Sequence, residues 1–243
     1  EHTGAGKAQY TENAPVHDQG AGLMLLLDDS GLSLTDGKIS LQADLTSMLP
    51  RLKKNNLERE FLVKVSRIKG MNAADGQLRA VDATAGFGED SLLLAAAGYN
   101  VELYEYDPVI AALLRDALRR AAKSSDDALR DAVSRMDLRE GDSVSAMRAM
   151  AGSNEPPDIV LLDPMFPERR KSALVKKKFQ LLQQLESPCE GADESELLEA
   201  AEAAGPRRII IKRPLKGPYL AGRRPGYSIT GKAVRYDCIV IPR

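Results

Sequence analysis

From Leu78 onward the chain alternates short apolar runs with longer runs of helical period. That alternation constrains the fold more than any other feature of the 243 residues. The apolar runs are Leu78–Asp82, Val101–Glu105, Arg135–Leu138, Ile159–Asp163 and Arg208–Lys212. Between them the spacing predicts helices at Glu89–Ala97 (stopped by Gly98), Pro108–Lys123, Ser143–Met150, Lys171–Glu186 and Asp193–Ala204. Short apolar strands separated by helices imply a parallel sheet covered on both faces, since a strand hidden on both sides has no polar face to alternate. Tyr227–Thr230 and Val234–Ile241 flank Gly231-Lys232 and break the rhythm. They predict an antiparallel hairpin at the sheet edge, closing a Rossmann-like α/β domain over residues 78–243.

Ahead of this domain, residues 23–77 predict a small appendage. Leu23–Leu27, Gly31–Thr35 and Lys38–Asp44 read as a small antiparallel sheet. Asp36-Gly37 lies between the last two, a dipeptide suited to the positive φ angles of a hairpin turn. Pro50 is expected to open a basic helix with Leu57, Phe61, Val65 and Ile68 on one stripe and Gly70 at its end. Residues 1–22 are small and polar, with no apolar signal-peptide core, and read as a poorly patterned lead-in. The chain begins at Glu1 and not Met, so a preceding segment is expected.

No apolar run approaches the ~20 residues that span a bilayer. Two cysteines, Cys189 and Cys238, offer neither a disulfide framework nor metal-ligand spacing, so a reducing cytoplasm and no metal are expected. Net charge is −1 and by itself uninformative; its distribution is not. Arg169 to Lys178 carries six Lys/Arg and no acid, and Arg207 to Arg235 carries nine and no acid. Glu186 to Glu202 carries seven acids and no base, while Arg51 to Lys69 has seven bases against two acids. Such segregation suits a face that meets a polyanion.

The strand ends carry the chemistry. The first strand runs into "VDATAGFGEDSLLLAAAG", so that Asp82, Gly86 and Gly88 lead into a helix beginning at Glu89 and Asp90. Strand, glycine loop and helix let backbone approach a ligand at a helix N-terminus. Nineteen residues after Gly86 the second strand ends in Glu105, where an acid can accept both hydroxyls of a ribose, with Tyr106 beside it. The third strand leads to "EGDS", placing Asp142 and Ser143 at the next tip; Ser143 also has the character of an N-cap. Two acids at a helix start repel phosphate. They suit S-adenosylmethionine, which has a ribose, a sulfonium and an ammonium but no phosphate.

The fourth strand delivers "LLDPMFPERRKSALVKKK". Asp163-Pro164-Met165-Phe166 resembles the (Asp/Asn)-Pro-Pro-(Tyr/Phe) motif of amino-directed methyltransferases. An exocyclic amine is a poor nucleophile because its lone pair is delocalised into the ring. A carboxylate (Asp163) and a backbone carbonyl (Pro164) can hold both N–H groups and aim that lone pair. Phe166 offers a face for the base, worth ~1–3 kcal/mol by analogy with single-strand binders. Arg169, Arg170, Lys171, Lys176 and Lys177 would hold the flanking phosphates. Lys212-Arg213 at the fifth strand's tip reads as a further phosphate clamp. On these residues alone, an N6-adenine DNA methyltransferase, a glutamine-directed protein methyltransferase and a catalytically silent RNA-binding module remain open beside an RNA methyltransferase.

Five segments together resemble one family. "VDATAGFGEDSLLLAAAG", "YEYDPVIAALLRDAL", "LLDPMFPERRKSALVKKK", "IIIKRP" and "TGKAVRYD" are similar, in that order, to the ribosomal RNA small subunit methyltransferase J family. The resemblance covers roughly Leu78 to the C-terminus. It implies a class I S-adenosylmethionine-dependent methyltransferase sheet and methylation of a guanine N2 amine in 16S rRNA, with the small ribosomal subunit as partner. It also implies cofactor contacts at Glu89-Asp90, Glu105-Tyr106, Asp142-Ser143 and Asp163. Glu89 departs from the pattern, standing where the family usually has Arg.

Overall fold

The computed structural model describes residues 22–71, 78–164, 181 and 194–242. At its start β1 (Met24–Asp28) and β2 (Gly31–Thr35) pair antiparallel from Met24↔Thr35 to Asp28↔Gly31. Asp28 Oδ1 holds their turn by accepting from Ser30 N at 2.8 Å and Ser30 Oγ at 2.6 Å. β3 (Ser40–Leu41) returns along β2 after Asp36-Gly37, where Gly37 takes φ 83°, as the hairpin signal requires.

The single basic helix expected from Pro50 to Gly70 does not form. In its place stand three short pieces, α1 (Leu49–Leu52), α2 (Lys54–Leu57) and α3 (Phe61–Ser66). Lys53 and Glu60 break the run with extended backbone, ψ 130° at both. Two local bonds explain the breaks. Asn56 Nδ2 donates back to Pro50 O at 2.8 Å, an amide competing with helix continuation. Arg51 closes a two-pronged bridge onto Glu60 at 2.7 and 2.8 Å, which ties the residue before α3 back to α1. Phe61 is consequently exposed instead of sharing a stripe with Leu57.

The second sheet has seven strands: β4 (Arg79–Asp82), β5 (Asn100–Glu105), β6 (Met136–Glu140), β7 (Ile159–Leu162), β8 (Arg208–Pro214), β9 (Tyr227–Thr230) and β10 (Val234–Val240). Their order is β6-β5-β4-β7-β8-β10-β9. The first five run parallel, and β10 pairs antiparallel with both β8 and β9, which forms the expected terminal hairpin. β7 is buried throughout: Ile159 and Leu161 join the core on one face, Val160 and Leu162 that on the other. This is the double burial its apolar run implied.

The connecting helices are α4 (Glu89–Ala96), α5 (Pro108–Ala121), α6 (Asp127–Val133), α7 (Ser143–Ala149) and α8 (Glu194–Ala203). No apolar period in the sequence announces α6. Asp126 caps it by accepting from Leu129 N at 2.9 Å, and Leu129, Ala132 and Val133 form its buried face. α4 buries Leu92, Leu93, Leu94 and Ala95 completely, because the appendage covers the side turned away from the sheet. Side-chain bonds fasten that cover: Leu32 N donates to Asp116 Oδ2 at 2.9 Å, Arg120 Nη2 to Ala43 O, and Tyr99 Oη to Ser66 O at 2.6 Å. Among the described residues no helix is long and apolar enough to cross a membrane.

Candidate active site

The carboxyl ends of the parallel strands gather the predicted residues because strand order places β4 between β5 and β7. Opposite connections leave β4 on its two sides, so a crevice opens at its tip. The loop after β4 is pinned to both neighbours: Ala83 N donates to Leu161 O and Ala85 N to Tyr104 O, each at 3.0 Å. Gly86 (φ 53°) and Gly88 (φ 74°) then take left-handed backbone. A Cβ at Gly88 would be strained by its φ of 74° and would lie 2.8 Å from Leu114 Cδ1, so the leucine would have to move. A Cβ at Gly86 would meet nothing within 4 Å; the backbone there is bare toward the crevice.

Glu105 closes the loop from the side. Its Oε2 accepts from Gly86 N at 2.8 Å and its Oε1 from Asp107 N at 2.9 Å, while burial pushes its carboxyl above the usual range. Tyr106 beside it is exposed. At the next tip Asp142, rather than Ser143, is the N-cap of α7. Asp142 accepts from Val144 N and Ser145 N at 3.0 Å each and from Ser145 Oγ at 2.5 Å, and the Ser145 hydroxyl is the leading cause of its lowered pKa. Ser143 is the first helical residue and stays half-buried. Gly141 N donates to Glu105 O at 2.9 Å, tying the two tips together.

Asp82 lies 1% exposed beneath the loop and accepts from Thr84 N at 3.1 Å and Ser91 Oγ at 2.5 Å. Burial pushes its carboxyl up to about 7, the two hydrogen bonds notwithstanding. The unfolded value is near 3.9. Between about pH 4 and 7 the folded state therefore holds the extra proton, and this group makes stability fall as pH rises. Asp82→Asn is expected to flatten that part of the stability curve, measured by thermal melts from pH 4 to 8. An unchanged slope would remove Asp82 as its source.

Asp163 follows β7 directly. Its backbone N donates to Thr84 Oγ1 at 2.6 Å, joining the loop after β7 to the glycine loop after β4. Pro164 is half-buried next to it. Phe166, Arg169, Arg170, Lys171, Lys176 and Lys177, with the helix expected at Lys171–Glu186, lie outside the described residues.

Lys212 and Arg213, expected as a phosphate clamp, are both engaged by acids of the chain itself. Lys212 Nζ lies 2.5 Å from Asp90 Oδ2 and 2.9 Å from Asp163 Oδ2, and these carboxylates outweigh burial to hold its pKa above the usual lysine value. Arg213 is 1% exposed, with Nη1 3.0 Å from Glu194 Oε1 and Nε donating to Pro218 O at 3.0 Å. Successive strand residues point to opposite faces, and here both faces are covered.

The same fate meets most of the acid-free block. Arg207 pairs with Asp158, Arg223 with Glu202 and Arg235 with Asp237, and Arg208 donates to Val65 O and Arg67 O. Lys216, Arg224 and Lys232 are exposed and make no ion pair among the described residues. Arg213→Ala is accordingly expected to cost about 2–3 kcal/mol of stability. It should leave the salt dependence of RNA binding unchanged, whereas losing a phosphate contact lowers that slope by about one. Denaturant melts and binding at three salt concentrations separate the two.

A family model described as SAM-dependent methyltransferase matches residues 10–241. A Thioalkalivibrio sulfidiphilus protein named ribosomal RNA small subunit methyltransferase J is 40% identical over 236 residues, covering 94% of this chain and 89% of the relative. A protein of that name from Pseudomonas paraeruginosa is 48% identical over 159 residues, covering 65% of this chain and 59% of the relative. Among solved structures, a SAM-dependent methyltransferase from Neisseria gonorrhoeae aligns with a TM-score of 0.70 at 30% identity, over 92% of this chain and 85% of its own.

Proposed function

This chain belongs to the ribosomal RNA small subunit methyltransferase J family, and from that premise we propose that it methylates the exocyclic N2 amine of a guanine in 16S rRNA. The observation that carries the reading is the junction of the Asp163 loop with the glycine loop, made by Asp163 N and Thr84 Oγ1 at 2.6 Å. Bringing the Asp163 loop against the glycine loop supports the reading of Asp163 as acceptor for the amine and of that turn as the cofactor's.

The residues present fit S-adenosylmethionine. Bare backbone at Gly86 admits a close approach, and Glu105 sits at the strand tip where a ribose is gripped. Asp90 and Asp163 supply anions where a phosphate-bearing cofactor would be repelled. When bound, the cofactor supplies an electrophilic methyl group on a sulfonium. Everything else is positioning: Asp163 and the Pro164 carbonyl accept the N–H bonds of the target amine, and Phe166 stacks the base. The base must leave its neighbours to enter such a pocket. No side chain needs to remove a proton before attack, because the amine nitrogen becomes acidic only as it takes the methyl. Holding the reactants in line accounts for most of the rate.

The test is transfer of labelled methyl from S-adenosylmethionine to small subunits lacking their native methylation, with naked 16S rRNA and duplex DNA in parallel. Digestion to nucleosides should yield N2-methylguanosine. N6-methyladenine in the DNA, or no label in any substrate, would overturn the proposal.

A further inference from the structure

Beyond the tip of β8 the fold presents a rim of cations and rings. β10 runs antiparallel to β8 with Val234 opposite Pro214, so the turn at Gly231-Lys232 comes back beside that tip. Leu215 N donates to Ala233 O at 3.1 Å and joins the two loops. Lys216 and Lys232 stand exposed on them, with no ion pair among the described residues. Buried Arg235 shapes the first loop: its Nη1 donates to Leu215 O at 3.1 Å and Gly217 O at 2.8 Å. Two rings flank the lysines. Tyr219 is 41% exposed, with the Arg235 guanidinium 5.0 Å from its centre. Phe61 is 37% exposed, with Lys64 Nζ 5.2 Å from its centre. Phe61 also lies against the hairpin turn, since a Cβ at Gly231 would come 3.2 Å from Phe61 Cε2. A cation within about 6 Å is drawn to a ring face, so each ring is held on one side and still reaches solvent.

This rim crosses the end of the sheet and adjoins the crevice. Leu220, after Tyr219, belongs to the core on one face, and Leu62, after Phe61, to the core on the other. Lys212, on the same strand just before Pro214, pairs with Asp163, and Tyr236 stands buried opposite Lys212. Asp90 and Tyr236 lie near enough to Arg51 to act on its charge, and the Arg51–Glu60 bridge brings the start of α3 to them. We propose that the rim is a track for single-stranded RNA leading to the target base: Phe61 and Tyr219 stack unpaired bases, and Lys64, Lys216 and Lys232 hold the phosphates. This rests on the reading of the chain as an RNA methyltransferase. A duplex hides its base faces in its own stack and leaves such rings nothing to stack on. An acidic peptide brings charge without base planes. Because every base has a π-face, the track adds affinity without reading sequence.

The experiment follows binding of a short single-stranded RNA carrying 2-aminopurine to the full chain, at three salt concentrations, by fluorescence anisotropy and by quenching of the base on stacking. The triple variant Lys64→Gln, Lys216→Gln, Lys232→Gln should raise Kd by about tenfold or more and lower the salt slope by about two, since each phosphate contact to a single strand contributes about 0.7. Phe61→Leu and Tyr219→Leu should each raise Kd by about fivefold or more and lose part of the quenching. Leucine keeps an apolar side chain against the turn, so packing is retained where stacking is lost. Duplex RNA of the same length and polyglutamate should each compete at least about tenfold more weakly than the single strand.

An unchanged salt slope in the folded triple variant would overturn the proposal. So would unchanged quenching in either folded leucine variant, or equal competition by duplex RNA or polyglutamate. If Phe61→Leu melts below the assay temperature, Phe61→Met replaces it. Methyl transfer separates the two readings. Should wild type methylate no substrate, the functional reading fails, and the binding measurements still decide whether the rim holds RNA. Should wild type methylate 16S rRNA while the variants bind RNA as it does, the function stands and the track is lost.

Discussion

Replacing Asp163 with Ala is expected to lower kcat for methyl transfer by about 10²–10³-fold or more, with affinity for small subunits nearly intact. The size follows from what one preorganised polar contact to reacting atoms is worth. The selectivity for kcat follows because the amine's N–H bonds polarise as the nitrogen bonds to the methyl, so the carboxylate interacts more strongly in the transition state than before it. Asp163 N keeps its bond to Thr84 Oγ1 in the variant, since that bond is made by backbone, and Lys212 keeps Asp90. The loop should therefore hold its place. Single-turnover kinetics beside equilibrium binding check the split. A collapse of RNA affinity in a folded Asp163→Ala protein would show that the assigned role is wrong.

Glu105→Ala should act on the other substrate. Its carboxylate holds Gly86 N at 2.8 Å and Asp107 N at 2.9 Å, so the side chain shapes the glycine loop and, on the proposed function, would also grip the ribose. Hydrogen bonds to a charged group contribute about 1.5–3 kcal/mol each. Losing two ribose contacts worth about 1.5 kcal/mol apiece would weaken S-adenosylmethionine binding by on the order of 10²-fold. Calorimetric titration of the folded variant measures this directly. Glu105→Gln should fall between, since it keeps the size and one acceptor oxygen. Equal affinity in Glu105→Ala and wild type would remove Glu105 from the cofactor site.

Much of this site was legible in the sequence because strand tips are local features. An apolar run ending in Asp82, Glu105 or Asp163 announces a buried strand that delivers an acid to its end. The short-range signals held where a single turn sufficed, as at Asp36-Gly37 and at Gly231-Lys232. They failed where a nearby polar group competed with the periodic pattern. Asn56 and the Arg51–Glu60 bridge broke a helix whose apolar spacing was sound, and Asp126 built one in a stretch without a long apolar stripe. Nothing in the immediate neighbours of Thr84 and Tyr236 marks them. They matter through partners brought by other strands.

Charge was the least legible property. A stretch of nine cations without an acid looked like a surface for polyanions, yet six of them pair with acids or carbonyls elsewhere in the fold. Glu194 and Glu202, from the acidic block, take up Arg213 and Arg223. The sequence by itself determined the layered α/β sheet and the acids at its tips, because burial on both faces and the turn after a strand depend on adjacent residues. Only the tertiary structure decided which cation meets which anion. Lys212 and Asp90 are 122 residues apart, and long side chains reach whatever the sheet order sets beside them.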